Sequence, residues 1–300
     1  MMKVRLLTHN DLDGSGCILA CQHTFGVKNV DWTPHNYDDI DDAVTNVIIN
    51  DPSITKRYDL IIISDISPDQ PVVWEVDKLG ATNIWQFDHH KTRAFQDRFS
   101  WVVFDMSRCG AKILFDWFLQ EGYVYMDEET ALFSEFIDAV NAYDLWIAND
   151  VKGKAWGDSL NRLHKALGQK AFISMGYNLI VDMEAKLRDS LVERETNIIN
   201  TACNQAIEAT DEDGKRFVAT IASEHQSQVG HELLKRHAVA RYAMVVSPVY
   251  GTCGLYSRSG EYDVSVLAQA RHPKGGGHLN ASGYSLPSGF VQKVINLLVK

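Results

Sequence analysis

Three apolar runs in this chain each end on residues that an apolar core cannot hold unaided. Val4-Arg5-Leu6-Leu7-Thr8 leads into His9-Asn10-Asp11-Leu12-Asp13-Gly14. Leu60-Ile61-Ile62-Ile63 leads into Ser64-Asp65, and Asn83-Ile84-Trp85-Gln86-Phe87 into Asp88-His89-His90. Short apolar or alternating runs bounded by polar residues read as strands. Helical patterns separate them, and strands joined through helices lie parallel. The predicted fold class is therefore α/β, with a doubly wound, mainly parallel sheet in the N-terminal lobe. Ligands of such sheets collect beyond the carboxyl ends of the strands. Here four carboxylates and three imidazoles would meet in one crevice. That much negative charge requires cations.

The remaining N-terminal pattern agrees with this fold. Residues 30–34 and 101–104 read as strands. Residues 39–49, a segment opened by Pro68 and Pro71 and closed by Gly80, and 109–120 read as helices. Ser15 is the expected N-cap of the helix after His9. From Asp127 to about position 210 the pattern is helical, and a long charged helix over 178–208, ended by Asp211-Glu212-Asp213-Gly214, reads as a connector. A smaller α/β lobe follows, with strands at 216–222, 242–249 and 253–258, helices at 226–236 and 264–270, and a final helix near Phe290. The expected organisation is a metal-binding catalytic domain over 1–150, a helical connector over 151–214 and a substrate-binding domain over 215–300.

At 300 residues the chain exceeds the usual span of one core. Its formal charge of −10 argues against long duplex DNA as a partner, because such binding rests on phosphate neutralisation. A small anion in a locally basic pocket stays open. The five cysteines form no Cys-x-x-Cys pair and suit a reducing compartment. Cys17 and Cys21 lack companions for a metal site and read as core. No signal-peptide pattern opens the chain, and no apolar stretch approaches the roughly 18 residues of a membrane span. A cytoplasmic protein with no membrane partner is expected.

Alone, each element allows a plain reading. The His9 loop reads equally as alternating ligands on one extended face, with His9 and Asp11 on one ion and Asp13 on a second, or as a turn with a helix cap. Asp65 and Asp88 also suit helix caps. Asp144, in Asn141-Ala142-Tyr143-Asp144-Leu145-Trp146, ends an amphipathic helix, where a negative charge opposes the dipole unless compensated. Exposure would spare it, and so would a cation. Mixed imidazole and carboxylate donors suit Mn²⁺, with Mg²⁺, Co²⁺ or Fe²⁺ open. Gly275-Gly276-Gly277-His278, preceded by Arg271, His272 and Lys274, reads as a flexible turn or, with Arg258, as a phosphate cradle. His231-Glu232-Leu233-Leu234-Lys235 starts like a zincin helix but has Lys where the second His belongs.

Together these residues resemble the four motifs of the DHH phosphoesterase superfamily. Gly275-Gly276-Gly277-His278 is similar to the signature of its DHH-associated C-terminal domain. Thr8-His9-Asn10-Asp11-Leu12-Asp13-Gly14, Asp88-His89-His90-Lys91-Thr92 and Tyr143-Asp144-Leu145-Trp146 resemble the oligoribonuclease (nanoRNase) branch. The resemblance implies a two-metal phosphodiesterase. His9, Asp11 and Asp65 would hold one Mn²⁺, and Asp13, Asp65, His89 and Asp144 the other. Asp88, with His89 and His90, would form the catalytic signature, Asp88 orienting a neighbouring ligand. His90 would face the substrate phosphate, Arg258 and His278 would bind phosphate or sugar from the second lobe, and Arg108 would join them. Lys274 departs from the pattern, standing where a further glycine is usual.

The function implied is hydrolysis of short RNA or linear dinucleotides such as pGpG to 5′-mononucleotides. Cyclic (di)nucleotides or 3′,5′-bisphosphate nucleotides are the alternative substrates, since the fold does not choose among them. A non-catalytic nucleotide sensor is a third reading, and a homodimer stays open.

Overall fold

The computed structural model describes residues 2–51, 53–147, 150–258, 261–290, 292–293 and 296. The chain divides into two units, residues 1–191 and 192–300. In the first, β1 (Val4–His9) leads through α1 (Leu12–Phe25) to β2 (Val30–His35), and α2 (Ile40–Val44) and α3 (Ile54–Arg57) lead to β3 (Leu60–Ser64). Then come α4 (Gln70–Lys78), β4 (Ile84–Asp88), β5 (Val102–Phe104), α5 (Gly110–Gln120), α6 (Glu128–Asp144) and α7 (Val151–Leu167). The strand order is β2-β1-β3-β4-β5, and every pairing is parallel. This is the expected doubly wound sheet.

The apolar runs are continuous because central parallel strands are covered on both faces. Every residue of β3 is buried. Leu60 and Ile62 pack with α1 and α5 residues such as Ile18 and Phe115, while Ile61 and Ile63 pack on the opposite face with Ile40, Val44 and Val76. Full burial of one such side chain contributes about 1.5–3 kcal/mol. Register then decides the site. Thr8 pairs with Ser64 and Ser64 with Phe87, so the next residues, His9, Asp65 and Asp88, stand at one level at the carboxyl ends of the strands. Strand order reverses between β1 and β3, which is the switch point where such sheets bind ligands.

The long helix α8 (Gln169–Asn204) is interrupted at Gly176, whose φ of 70° is non-helical. It stops at Asn204, short of the expected 208. In the second unit β6 (Ile207–Thr210) pairs antiparallel with β7 (Arg216–Ile221). The acidic segment expected to end a helix is instead their hairpin turn, closed by the Asp211 carboxylate accepting from the Asp213 and Lys215 amides. After α9 (Gln226–Arg236) come β8 (Tyr242–Ser247), β9 (Thr252–Ser257), α10 (Val264–Arg271), β10 (Gly276–His278) and β11 (Ala281–Ser285), in the order β10-β11-β9-β8-β7-β6. This mixed sheet is the smaller α/β lobe. The helix expected beyond Phe290 lies largely outside the described residues. Among the described residues no helix is long and apolar enough to cross a membrane.

Candidate metal centre

The chain turns from β1 straight into α1, and Asp11 is that helix's N-cap. Its Oδ1 accepts from the Gly14 amide at 3.0 Å, while Oδ2 lies 2.9 Å from His9 Nδ1. One carboxylate thus satisfies both readings of the loop. Two details differ from expectation. Ser15 is not the cap; its hydroxyl donates back to the Asp11 carbonyl at 2.7 Å. Nor is the loop extended, because Asp13 already stands in the first turn of α1. Its two oxygens accept from the Gly110 and Ala111 amides at 2.7 and 2.8 Å, at the start of α5. A Cβ on Gly14 would lie 2.0 Å from the His9 carbonyl oxygen, so only glycine fits this turn.

Asp65 follows β3 with φ of 60°, a left-handed conformation that Asp and Asn tolerate best among residues bearing a Cβ. It is buried to 1% exposure. Its Oδ1 is 3.4 Å from His89 Nε2, and its Oδ2 is 3.9 Å from His9 Nδ1. His89 Nε2 is also 3.6 Å from Asp13 Oδ2 and 3.6 Å from Asp144 Oδ2. The structure therefore brings His9, Asp11 and Asp65 into one group and Asp13, Asp65, His89 and Asp144 into another, with Asp65 in both. Asp144 ends α6 as expected, but its Oδ2 is buried rather than exposed.

Asp88 faces its own neighbours. Oδ1 accepts from the His89 and His90 amides at 2.8 and 3.2 Å and lies 2.7 Å from His90 Nδ1, and Oδ2 accepts from the Ser67 hydroxyl. Sequence reasoning missed Tyr37. Its hydroxyl is 3.0 Å from His90 Nε2, and its ring centroid is 5.4 Å from that of His9. A lone tyrosine in a polar loop carries no pattern that announces such a contact.

No protein-family model matches the chain. The fold is similar to the DHH domain of a member of a family of ribosomal proteins, at a TM-score of 0.58 and 12% identity, covering 99% of this chain and 86% of that one. In sequence the chain is 23% identical over 307 residues to the oligoribonuclease NrnB of Bacillus subtilis (strain 168), covering 94% of this chain and 72% of that protein. The chain is thus similar to a DHH domain in fold and to an oligoribonuclease in sequence. It is 29% identical over 157 residues to a 3′,5′-cyclic-nucleotide phosphodiesterase of Helicobacter pylori (strain ATCC 700392 / 26695), covering 49% of this chain and 44% of that protein. RecJ of Thermus thermophilus, in a structure with Mn²⁺, shares the fold at a TM-score of 0.53 and 15% identity, covering 97% of this chain and 51% of that one.

The site holds its carboxylates under electrostatic stress. Burial, then the charges of Asp13 and Asp11, pushes Asp65 well above the usual carboxylate range. Burial also lifts Asp144 to about 7, with His89 opposing and Asp13 and Asp11 adding to the rise. Asp11 instead falls well below its ordinary value, its burial outweighed by His9 and the Gly14 amide. Asp65 Oδ2 and Asp144 Oδ2 are buried without a hydrogen-bond partner. Such oxygens, beside imidazole nitrogen, fit a divalent cation of the Mn²⁺ class.

The raised carboxylates make metal affinity depend on pH. Their protons must leave when a cation enters, so affinity for Mn²⁺ is expected to fall as pH drops from 8 to 5. In the metal-free protein the sign is opposite. An acid raised on folding contributes stability below its unfolded pKa and loses it as pH rises through the folded value, about 7 for Asp144. The gain in Tm on adding Mn²⁺ should therefore grow with pH, and a gain that shrinks between pH 5 and 8 contradicts this assignment.

The two predicted arginines have protein partners of their own. Arg108 donates to Asp105 at 2.7 Å and Asp116 at 2.8 Å. In the second unit, Arg258 donates to the carbonyls of Ala240, Leu234 and His237 at 2.8, 2.5 and 3.2 Å, closing the end of α9. A phosphate reaching either guanidinium would compete with these partners. Gly275 donates its amide to the His272 carbonyl at 2.8 Å, while Gly276, Gly277 and His278 form the edge strand β10 rather than a flexible turn.

Proposed function

We propose that this hydrolase cleaves short oligoribonucleotides or linear dinucleotides such as pGpG to 5′-mononucleotides, using two Mn²⁺ ions. The observation that carries the reading is Asp65, one buried carboxylate belonging to both ligand groups. The match to NrnB along 94% of the chain supports the substrate class. His9, Asp11 and Asp65 would hold one ion, and Asp13, Asp65, His89 and Asp144 would hold the other. When bound, the ions would supply Lewis-acid stabilisation of charge developing on the phosphoryl oxygens. The α5 amides fix Asp13, and Asp88 orients His90 toward the substrate phosphate. We assign metal binding to residues 1–150, linkage to 151–214 and substrate recognition to 215–300, with Gly275–His278 as the phosphate-binding segment. Five buried cysteines free of disulfides support a cytoplasmic location.

A labelled oligoribonucleotide series from dimer to about 24-mer tests this, with short substrates expected to react at least about tenfold faster. Equal rates at all lengths would overturn it. The Helicobacter pylori relative favours a second reading, a cyclic-nucleotide substrate. Faster turnover of a cyclic dinucleotide than of its linear product would select that reading.

A further inference from the structure

We propose that Tyr37 is a positioning residue that sets the His90 imidazole for its contact with the substrate phosphate. The inference rests on the hydrolase reading above and adds to it a residue from outside the motifs. Tyr37 lies in the loop between β2 and α2. Neighbouring Asn36 anchors that loop, its side chain accepting from Asn10 at 2.9 Å and its amide donating to Asp39 at 2.6 Å. The phenol is thus delivered from one segment to a histidine on another.

The direction of the hydrogen bonds follows from Asp88. Its Oδ1 already receives two backbone amides, which only donate, so it acts as an acceptor. His90 Nδ1, 2.7 Å away, therefore carries a proton. In neutral His90 that leaves Nε2 as the acceptor, and the Tyr37 hydroxyl, 3.0 Å distant, donates to it. A hydroxyl can also accept, so the same contact survives if Nε2 takes up a proton. Asp88 on one side and Tyr37 on the other clamp the ring at both nitrogens. The two rings meet edge-on at 84° with centroids 5.9 Å apart, which further restricts rotation of the imidazole. The phenol ring also packs against an apolar cluster that includes Ile40 and Val44 and meets His9, a proposed metal ligand, at a tilted 50°. Packing on His9 and hydrogen bonding to His90 are therefore separable, because only the second needs the hydroxyl.

Tyr37→Phe removes the hydroxyl and keeps the packing. On a short oligoribonucleotide, kcat is expected to fall about tenfold to a hundredfold, the range typical of outer partners that orient a site. KM should stay within about twofold, as for an interaction that matters mainly in the transition state. Mn²⁺ affinity should be unchanged. In the metal-free protein with ¹⁵N-labelled histidine, the His90 Nε2 resonance should move on substitution. An unchanged kcat, or an unmoved resonance, overturns the proposal. So does a fall in Mn²⁺ affinity matching the fall in kcat, because Tyr37 would then act through His9. An inactive wild type would sink the hydrolase reading and this role with it, while the resonance would still decide whether the contact exists.

Discussion

Asp65→Asn is expected to abolish Mn²⁺-dependent hydrolysis, by about 10³-fold or more, without unfolding the protein. Asn matches Asp in shape and tolerates the φ of 60° at this position. The backbone and the packing against Gly110 should persist. What disappears is the only carboxylate belonging to both ligand groups among the described residues. The metal-free variant should be at least as stable as wild type, because a neutral amide replaces an acid whose buried charge is opposed by Asp13 and Asp11. Wild type loses the contribution of this raised acid as pH rises, so the variant's advantage should widen with pH. Added Mn²⁺ should no longer raise its Tm appreciably. A variant that keeps more than about a tenth of wild-type turnover would remove Asp65 from the centre of the chemistry.

Gly110→Ala should impair the same site from behind and carry a stability cost that Asp65→Asn lacks. A Cβ there would lie 2.6 Å from Asp65 Cβ and 2.9 Å from Asp65 Cα. These are not the flexible ends of a side chain, so either β3 or the start of α5 must shift. The Gly110 amide also holds Asp13 at 2.7 Å, so movement of α5 disturbs both carboxylates together. Overpacking of this kind costs about 1–3 kcal/mol. Turnover should fall about a hundredfold, as when reacting groups are misplaced by about an ångström. Melting temperature, Mn²⁺ affinity and kcat/KM measured together decide it. Loss of activity with wild-type Tm would mean that the glycine matters for another reason.

The sheet and the clustering of these His and Asp side chains were legible because burial on both faces writes a central parallel strand as an unbroken apolar run. The first polar residue after such a run marks the strand's end, and register sets His9, Asp65 and Asp88 side by side. Other features had no such signal. β6 is four residues long and mostly exposed, so nothing periodic distinguishes it from the charged helix before it. β10 is built largely from glycine, whose freedom reads as a turn until β11 pairs with it. The amides holding Asp13 come from residues 97 and 98 positions away, and Tyr37 meets His90 at a separation of 53. Contacts of that range depend on topology, which local pattern does not encode. Arg258 is the converse case. Its charge suggested an anion, yet its Nη1 and Nη2 already donate to three carbonyls at a helix end.

The proposed ligands come from four separated segments, at 9–13, 65, 88–90 and 144, and this would set when a cation can be captured. While the chain emerges from the ribosome at about 5–20 residues per second, His9 is made long before Asp144. Until α6 has packed, the second group lacks Asp144, and until α5 docks, the Gly110 and Ala111 amides do not yet hold Asp13. A nascent fragment therefore offers at most a weak partial chelate. On the two-metal proposal, the ion would not seed the architecture. It would enter a finished one and then stabilise it, so the supply of metal would set how much of the folded population is active and how firmly that population holds its fold.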